Sequence, residues 1–389
     1  MNYGSNQINH FVLKKQHLAG SAGTDLVQIV RDVGGLHATH STTPYLALLA
    51  RGPGFEKADL DNALYEHHTL GKIRCVRKTI YVHTRAMMPV AFKATVGAVI
   101  KASQRHMEFR GVSPDEYKDV SKAILDLLKD KEMTASAIKT VLGTKAHLSS
   151  ILYFMCDQGL LVRGRPEKGW KDKNHHYALF HDYFPGTDLE KLSEAQAITA
   201  LVGQYLAAFG PVTENDVVWW TGLGKRKVRG ALRDLKDQIT QVPIAGMEGD
   251  LIMLRSDEAR VQASAPPDEP TVNLLPCLDP YLMGYKERAR YLDPQHYDKV
   301  FDRSGNATST ILVDGQVAGV WDFEDSKKPL VKLFLFKKVA QDALQRVLAQ
   351  AQSLGVFMAG QEVLVRACDA MPPLTERTAG SFMSPLKGC

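Results

Sequence analysis

The sequence predicts an α+β protein built from three tandem winged-helix units followed by a β-rich domain. Three observations lead there. A basic hairpin follows several helices near the N-terminus, an arrangement of helices closed by a hairpin then recurs with matching residues, and a Pro-rich linker precedes a run of short strands. At 389 residues the chain exceeds one ordinary core. Its 44% hydrophobic and 23% charged residues are those of a soluble globular protein, and its net charge of +5 permits a polyanionic partner. No apolar stretch has the length of a membrane span, and the first residues lack the pattern of a signal peptide. The five cysteines, Cys75, Cys156, Cys277, Cys368 and Cys389, are far apart. They argue against a structural zinc site and a disulfide framework, and for a reducing cytosol.

The first unit, 1–110, opens with a helical pattern over 6–17, then Thr24 as N-cap of a helix ending at Asp32. Gly34-Gly35 stops that helix. The next residues crowd His37, Thr39, His40, Ser41, Thr42 and Thr43 into a polar turn, and Pro44 opens an apolar helical run. A further helix spans 57–67. Residues 71–83 alternate as a hairpin with Ile73, Cys75, Ile80 and Val82 on the apolar side and Arg74, Arg77 and Lys78 as its charges. A long helix over 87–109 leads out of the unit.

The second unit, 111–187, carries helices over 114–129, 134–142 and 145–158. A hairpin follows, whose loop holds Arg163, Arg165, Lys168, Lys171 and Lys173 against Glu167 and Asp172, with Trp170, His175 and His176 among them. Crowded cations favour an anion opposite, and an aromatic there can stack on a base or wedge against a sugar. The third unit, 188–262, repeats the order: helices over 193–209, 213–221 and 225–237, then strands over 239–243 and 250–254. Thr134 and Thr213 fall at the same N-cap position, Ile138 and Val217 at the same core position, and each segment ends in glycine. In a helix-turn-helix the third helix reads the groove. Here it begins Lys225-Arg226-Lys227-Val228-Arg229, cations that oppose the macrodipole unless phosphates lie close.

A linker spans 263–270. The last domain, 271–365, has strands over 271–275, 309–313, 316–323 and 330–336, with Asp314-Gly315 as a turn and an amphipathic helix over 336–354. The tail, 366–389, has little to bury and is expected to be loosely ordered.

The segment Leu274-Leu275-Pro276-Cys277-Leu278-Asp279-Pro280-Tyr281-Leu282-Met283-Gly284-Tyr285 resembles the AlkZ/YcaQ family of winged-helix DNA glycosylases, with Asp279, Tyr281 and Tyr285 matching its motif. The segments around Ala208–Thr213, Trp220–Leu223 and Gly319-Val320-Trp321 are similar too. The resemblance runs from about residue 5 to about residue 365. It implies a C-shaped arrangement of the three units and a barrel-like C-terminal domain. It also implies a monofunctional, cofactor-free enzyme, monomeric and cytoplasmic, acting on double-stranded DNA carrying alkylated bases.

The family's catalytic motif is Gln-x-Gln or Gln-x-Asp after Gly-Leu. The matching residues are Gly35-Leu36-His37-Ala38-Thr39, so His37 and Thr39 stand in the catalytic positions. Three readings follow. His37 positions or deprotonates water, or it hydrogen-bonds the sugar or phosphate, or the site has lost the chemistry and kept DNA binding. A cationic N7- or N3-alkylpurine leaves without protonation, which makes the missing amide or acid tolerable. Among the rivals, a regulator would need a dimerisation helix, and no heptad run supplies one. A serine hydrolase would need a nucleophile elbow around Ser41, which is absent. His37, His40, His67, His68 and His83 include no pair at metal-binding helical spacing. On these expectations both His37 and Thr39 lie on the wall of a positively charged concave surface.

Overall fold

The computed structural model describes residues 3–20, 25–244, 249–265, 269–378, 380–383 and 385–389. The first unit holds helices Ser5–Lys15, Leu26–Asp32, Thr43–Leu49 and Lys57–Asp61, the last continuing as a π turn, Asn62–Glu66. Its strands β1 (Leu36–His37), β2 (Leu70–Arg74) and β3 (Ile80–Thr84) pair antiparallel in the order β1-β3-β2. Asp25 caps Leu26–Asp32 through the Gln28 N–H; Thr24 lies outside the described residues. Helix Met88–Phe109 leads into the second unit, with helices Pro114–Leu127, Ala135–Leu142 and Leu148–Asp157. Its strands β4 (Met133–Thr134), β5 (Leu161–Pro166) and β6 (His175–Leu179) form a sheet ordered β4-β6-β5. The third unit has helices Glu194–Phe209, Glu214–Thr221 and Lys225–Asp234, closed by β7 (Ile239–Pro243) and β8 (Asp250–Leu254). Most of the loop between those two strands lies outside the described residues.

The internal duplication is geometric. Thr134 accepts the Ala137 N–H and Thr213 the Asp216 N–H, each capping its helix. Ile138 and Val217 are fully buried. Gly143 and Gly222 end the two helices with φ of 57° and 69°, the left-handed region that favours glycine. One short polar cap, one core residue and one left-handed stop thus set each of the two turns.

The C-terminal domain corrects the barrel-like expectation. Strands β9 (Val272–Leu275), β10 (Thr310–Val313), β11 (Gln316–Glu324), β12 (Leu330–Leu335) and β13 (Leu364–Ala367) run β13-β12-β11-β10-β9, an open order with two edges. The crossover helix Gln341–Ala359 buries Ala343, Val347, Ala351 and Leu354 against this sheet. It returns the chain so that β13 pairs parallel to β12. Helix and parallel edge strand therefore take the place of closure.

The tail and cysteines are corrected too. Met371, Leu374 and Leu386 are buried in the main core, and Cys368 is disulfide-bonded to Cys389. The sequence separation of 21 between these cysteines hides the pairing from local spacing. The fold makes it by turning the tail back so that Ala370 bridges Lys387.

The second unit has its own core around Ile124, Ile138, Ile151 and Met155. The largest core instead joins parts distant in the chain. Ile8, Phe11 and Leu13 of the first helix pack with Tyr205, Phe209 and Trp220 of the third unit and with Tyr281, Tyr285 and Tyr291 beyond the linker. Burying each such side chain contributes about 1.5–3 kcal/mol. The buried Lys15 ammonium completes that helix's docking: it donates to Asp257 at 2.8 Å and to the Leu206 and Gly210 carbonyls.

Candidate active site

The turn after Leu26–Asp32 is set by glycine. Gly35 has φ of 95°, and a Cβ there would lie 2.6 Å from the His83 ring. The chain then pairs Leu36 with Val82 and His37 with Tyr81, and the Ala38 N–H donates to the Ile80 carbonyl at 2.7 Å. Leu36 enters the core of the first unit. His37 enters a closed pocket on the opposite side, 4% exposed, its ring 5.1 Å from that of Tyr81. Burial, with Arg77 nearby, pushes its pKa down to about 3, so the imidazole is neutral at physiological pH. The Thr39 N–H donates to His37 Nδ1 at 3.4 Å. Thr39 itself is exposed, and its hydroxyl oxygen accepts the Ile80 N–H at 3.4 Å. The expectation that both residues lie on the wall thus holds for Thr39 and fails for His37. Strand pairing sets His37 beside Tyr81 of β3, and the strand ends before it can hold Thr39 the same way.

Thr39 opens onto a cavity of about 570 Å³ between the first two units. Arg74, Lys78, Arg163, Trp170 and Lys173, all expected to face DNA, share its lining. His175, noted in the loop but not singled out for a role, and Lys72, which the sequence reading passed over, line it as well. The missed signal for Lys72 was alternation: with Ile73 turned into the core, Lys72 and Arg74 must share the other face of β2. Consecutive left-handed residues at the hairpin tip, Arg77 (φ 51°) and Lys78 (φ 59°), separate the next two cations. Lys78 turns into the cavity, whereas Arg77 lies over the Trp219 ring at 4.0 Å, outside it.

Several of the expected DNA contacts already have protein partners. Arg74 donates to Asp157 at 2.9 Å and to Ser103 at 3.0 Å, tying the first hairpin to the second unit. Arg165 pairs with Glu66, and Lys171 with Asp325 at 2.6 Å. Lys168 is exposed at the hairpin tip, off the cavity. Trp170 is no free wedge, because its ring meets Tyr45 at 5.2 Å and Phe357 at 5.8 Å. The hairpin tip is thereby docked on both the first unit and the C-terminal domain.

In the third unit Lys227 pairs with Glu194 and Arg229 with Glu214, while Lys225 and Arg226 make no ion pair among the described residues. Replacing Lys225 and Arg226 by Ala is therefore expected to flatten the salt dependence of duplex binding by about one phosphate equivalent each. Replacing Lys227 and Arg229 should do less. Titrations of affinity against salt check this, and equal slopes for all four variants would remove the helix from the interface.

Asp279, Tyr281 and Tyr285 are buried, and none of them lines the cavity. Asp279 receives both ends of the Arg51 guanidinium at 2.7 and 2.8 Å, with neither side chain exposed. Arg51 also donates to the Gln16 and Ala47 carbonyls. The Tyr281 hydroxyl donates to the Gly315 carbonyl, and that of Tyr285 to the Phe209 carbonyl. This motif joins the first unit, the third unit and the C-terminal domain. Among the described residues no group of three or more His, Cys, Asp or Glu side chains is placed to hold a metal ion.

The profile of the family described as "DNA glycosylase AlkZ-like" matches residues 30–357. The chain belongs to the AlkZ-like DNA glycosylase family. It is 26% identical over 254 residues to an interstrand DNA cross-link repair glycosylase of Streptomyces sahachiroi, a match spanning 61% of this chain and 66% of that relative. That is just under two thirds of the relative's length. The fold of this AlkZ-like chain is similar to that of the Streptomyces sahachiroi DNA glycosylase AlkZ, with a TM-score of 0.74 at 20% identity. The likeness covers 94% of this chain and 100% of the other. The AlkZ-like profile includes both the His37–Thr39 turn and the Asp279 motif, which the fold places in separate roles. No helix among the described residues is long and apolar enough to cross a membrane.

Proposed function

We propose that the chain is a monofunctional DNA glycosylase hydrolysing the N-glycosidic bond of cationic alkylated purines, N7-alkylguanine or N3-alkyladenine, in duplex DNA. Its three helix-and-hairpin units act as winged helices set in a C around the duplex, in a monomer working on DNA in the cytoplasm. The domains divide at 1–110, 111–187, 188–262 and 271–365. The observation that carries the reading is the opening of the Thr39 turn onto a basic cavity in a chain of this family. A cationic base departs without protonation, so the protein needs to hold water and offset charge on the sugar. Thr39 is assigned the water, through a hydroxyl that can both donate and accept. His37 is assigned a positioning role: neutral and enclosed, it takes the Thr39 N–H and fixes where the hydroxyl points.

The test is base release from duplexes each carrying one defined N7-alkylguanine, with undamaged duplex as control. Thr39→Val should cut the rate of release by about 10²-fold, the low end for losing one preorganised hydrogen-bonding group, and leave affinity unchanged. Thr39→Asp should retain or raise activity. His37→Ala should lower the rate, and His37→Asn, which keeps an acceptor, should restore part of it. The rate should stay flat from pH 7.5 to 5.5 because the His37 ring does not protonate there. A fall with a midpoint near 6.5 would return His37 to direct contact with water. Should the wild type bind damaged duplex and release no base, the protein is a catalytically inactive binding or regulatory relative.

A further inference from the structure

Two cations lining the cavity, Arg163 buried and Lys72 half-buried, make no ion pair with a carboxylate among the described residues. Arg163 is 8% exposed and lines the cavity, and its side chain makes no hydrogen bond or ion pair among the described residues. Its guanidinium lies 5.3 Å from the centre of the Tyr153 ring. Asp157 is close enough to act on it electrostatically but forms no ion pair with it: Oδ2 takes Arg74 and Ser103, and the buried Oδ1 has no hydrogen-bond partner. The Lys72 ammonium is held by the Tyr65 hydroxyl and lies 4.9 Å from that ring. The nearby Asp61 carboxylate instead receives the Tyr45 hydroxyl at 2.5 Å. Burial pushes the Lys72 amine down to about 8. His175 beside them has a buried Nε2 with no hydrogen-bond partner. Buried charges are kept only where something compensates them.

We propose that Arg163 and Lys72 form a subsite for one backbone phosphate of the lesion-bearing strand. The subsite rests on the glycosylase reading for its ligand. Charge decides between a phosphate and the damaged base as occupant. Lys72, Arg74, Lys78, Arg163 and Lys173 line the cavity against the single carboxylate of Asp172 on its wall, with Asp157 and Asp61 behind. A cationic alkylated base would meet like charge in this recess, whereas a phosphate would meet two preplaced donors. Arg163 offers the fork geometry that suits phosphate oxygens, and Lys72 a point charge. Both sit on hairpin strands, β5 and β2, whose pairing within their sheets fixes them before DNA arrives. A phosphate seated there stands in the same recess as Thr39. Its negative charge then faces the sugar as positive charge develops on it.

The experiment walks one methylphosphonate linkage, a neutral phosphate, along the strand of a duplex containing one N7-methylguanine. Affinity and single-turnover base release are measured for the wild type, Arg163→Gln, Lys72→Gln and Lys78→Ala. One linkage is expected at which the wild type loses about tenfold in affinity. Arg163→Gln and Lys72→Gln, already weakened on the all-phosphate duplex, should lose less than twofold more at that linkage. Lys78→Ala, on the exposed rim, should lose the full factor. Losses that add for both floor variants at every linkage, or no sensitive linkage in the wild type, overturn the subsite. If Arg163→Gln does not fold, as judged by its melting transition, Lys72→Gln with the wild-type walk carries the decision. Absence of base release by the wild type would defeat the glycosylase reading alone, since the affinity arm still reads the subsite.

Discussion

Asp279→Ala is expected to lower stability by about 3–5 kcal/mol, because it strands the fully buried Arg51 guanidinium. The lost partner accepts two charge-assisted hydrogen bonds, and no water can reach the vacated donors. Arg51→Met with Asp279→Leu, which removes both charges, should cost much less than either single change. Midpoints of urea unfolding for the four proteins check this. A single variant within about 1 kcal/mol of the wild type would show the pair to be dispensable. Base release by any folded Asp279 variant should be near normal, since Asp279 does not line the cavity.

Acid is expected to unfold the protein early. Burial pushes His37 down to about 3 and His83 down to about 4. In the folded state both stay neutral, whereas in the unfolded chain they take up protons below about 6.5. The stability they contribute is complete above pH 6.5 and is lost as pH falls towards their folded values. Each loses about 1.4 kcal/mol per pH unit, so the two together lose about 4 kcal/mol by pH 5. Urea midpoints between pH 7.5 and 5 measure the slope, and His37→Gln should roughly halve it. A slope unchanged by that substitution would mean that the imidazole protonates without opening its pocket.

What the sequence revealed depended on how local the cause was. The helix starts at Asp25, Thr134, Ser193 and Thr213 or within one residue of them were legible because a cap acts within three residues. Strands β1 and β4 were not, because two residues become a strand only through the partner that pairs with them. The β12–β13 pairing and the disulfide were hidden for the same reason, since their halves meet only after a helix or the tail has folded back. In the candidate site, residue type led to Thr39, Arg163 and Lys78, but not to which cations already had partners. Lys171, Arg165 and Arg229 look like Arg163 in sequence and differ only in the carboxylates that tertiary packing brings to them. His37 was legible as a motif position, while its enclosure came from pairing with β3, which sets the Tyr81 ring against it.

The N-terminal helix, with Ile8, Phe11 and Leu13 on its buried side, has consequences for how the chain is made. Its ammonium clasp, Lys15, waits for Asp257, which lies 242 residues further on. At about 5–20 residues per second, a ribosome delivers that partner roughly ten to fifty seconds after Lys15. Throughout that interval an amphipathic segment is exposed with nothing of its own to cover it. Sequence-distant closures of this kind slow folding, because the intervening loop loses its freedom before any contact rewards it. A segment synthesised well before its partner is thus among the last to reach its final place, and during synthesis it is the stretch that a chaperone would find.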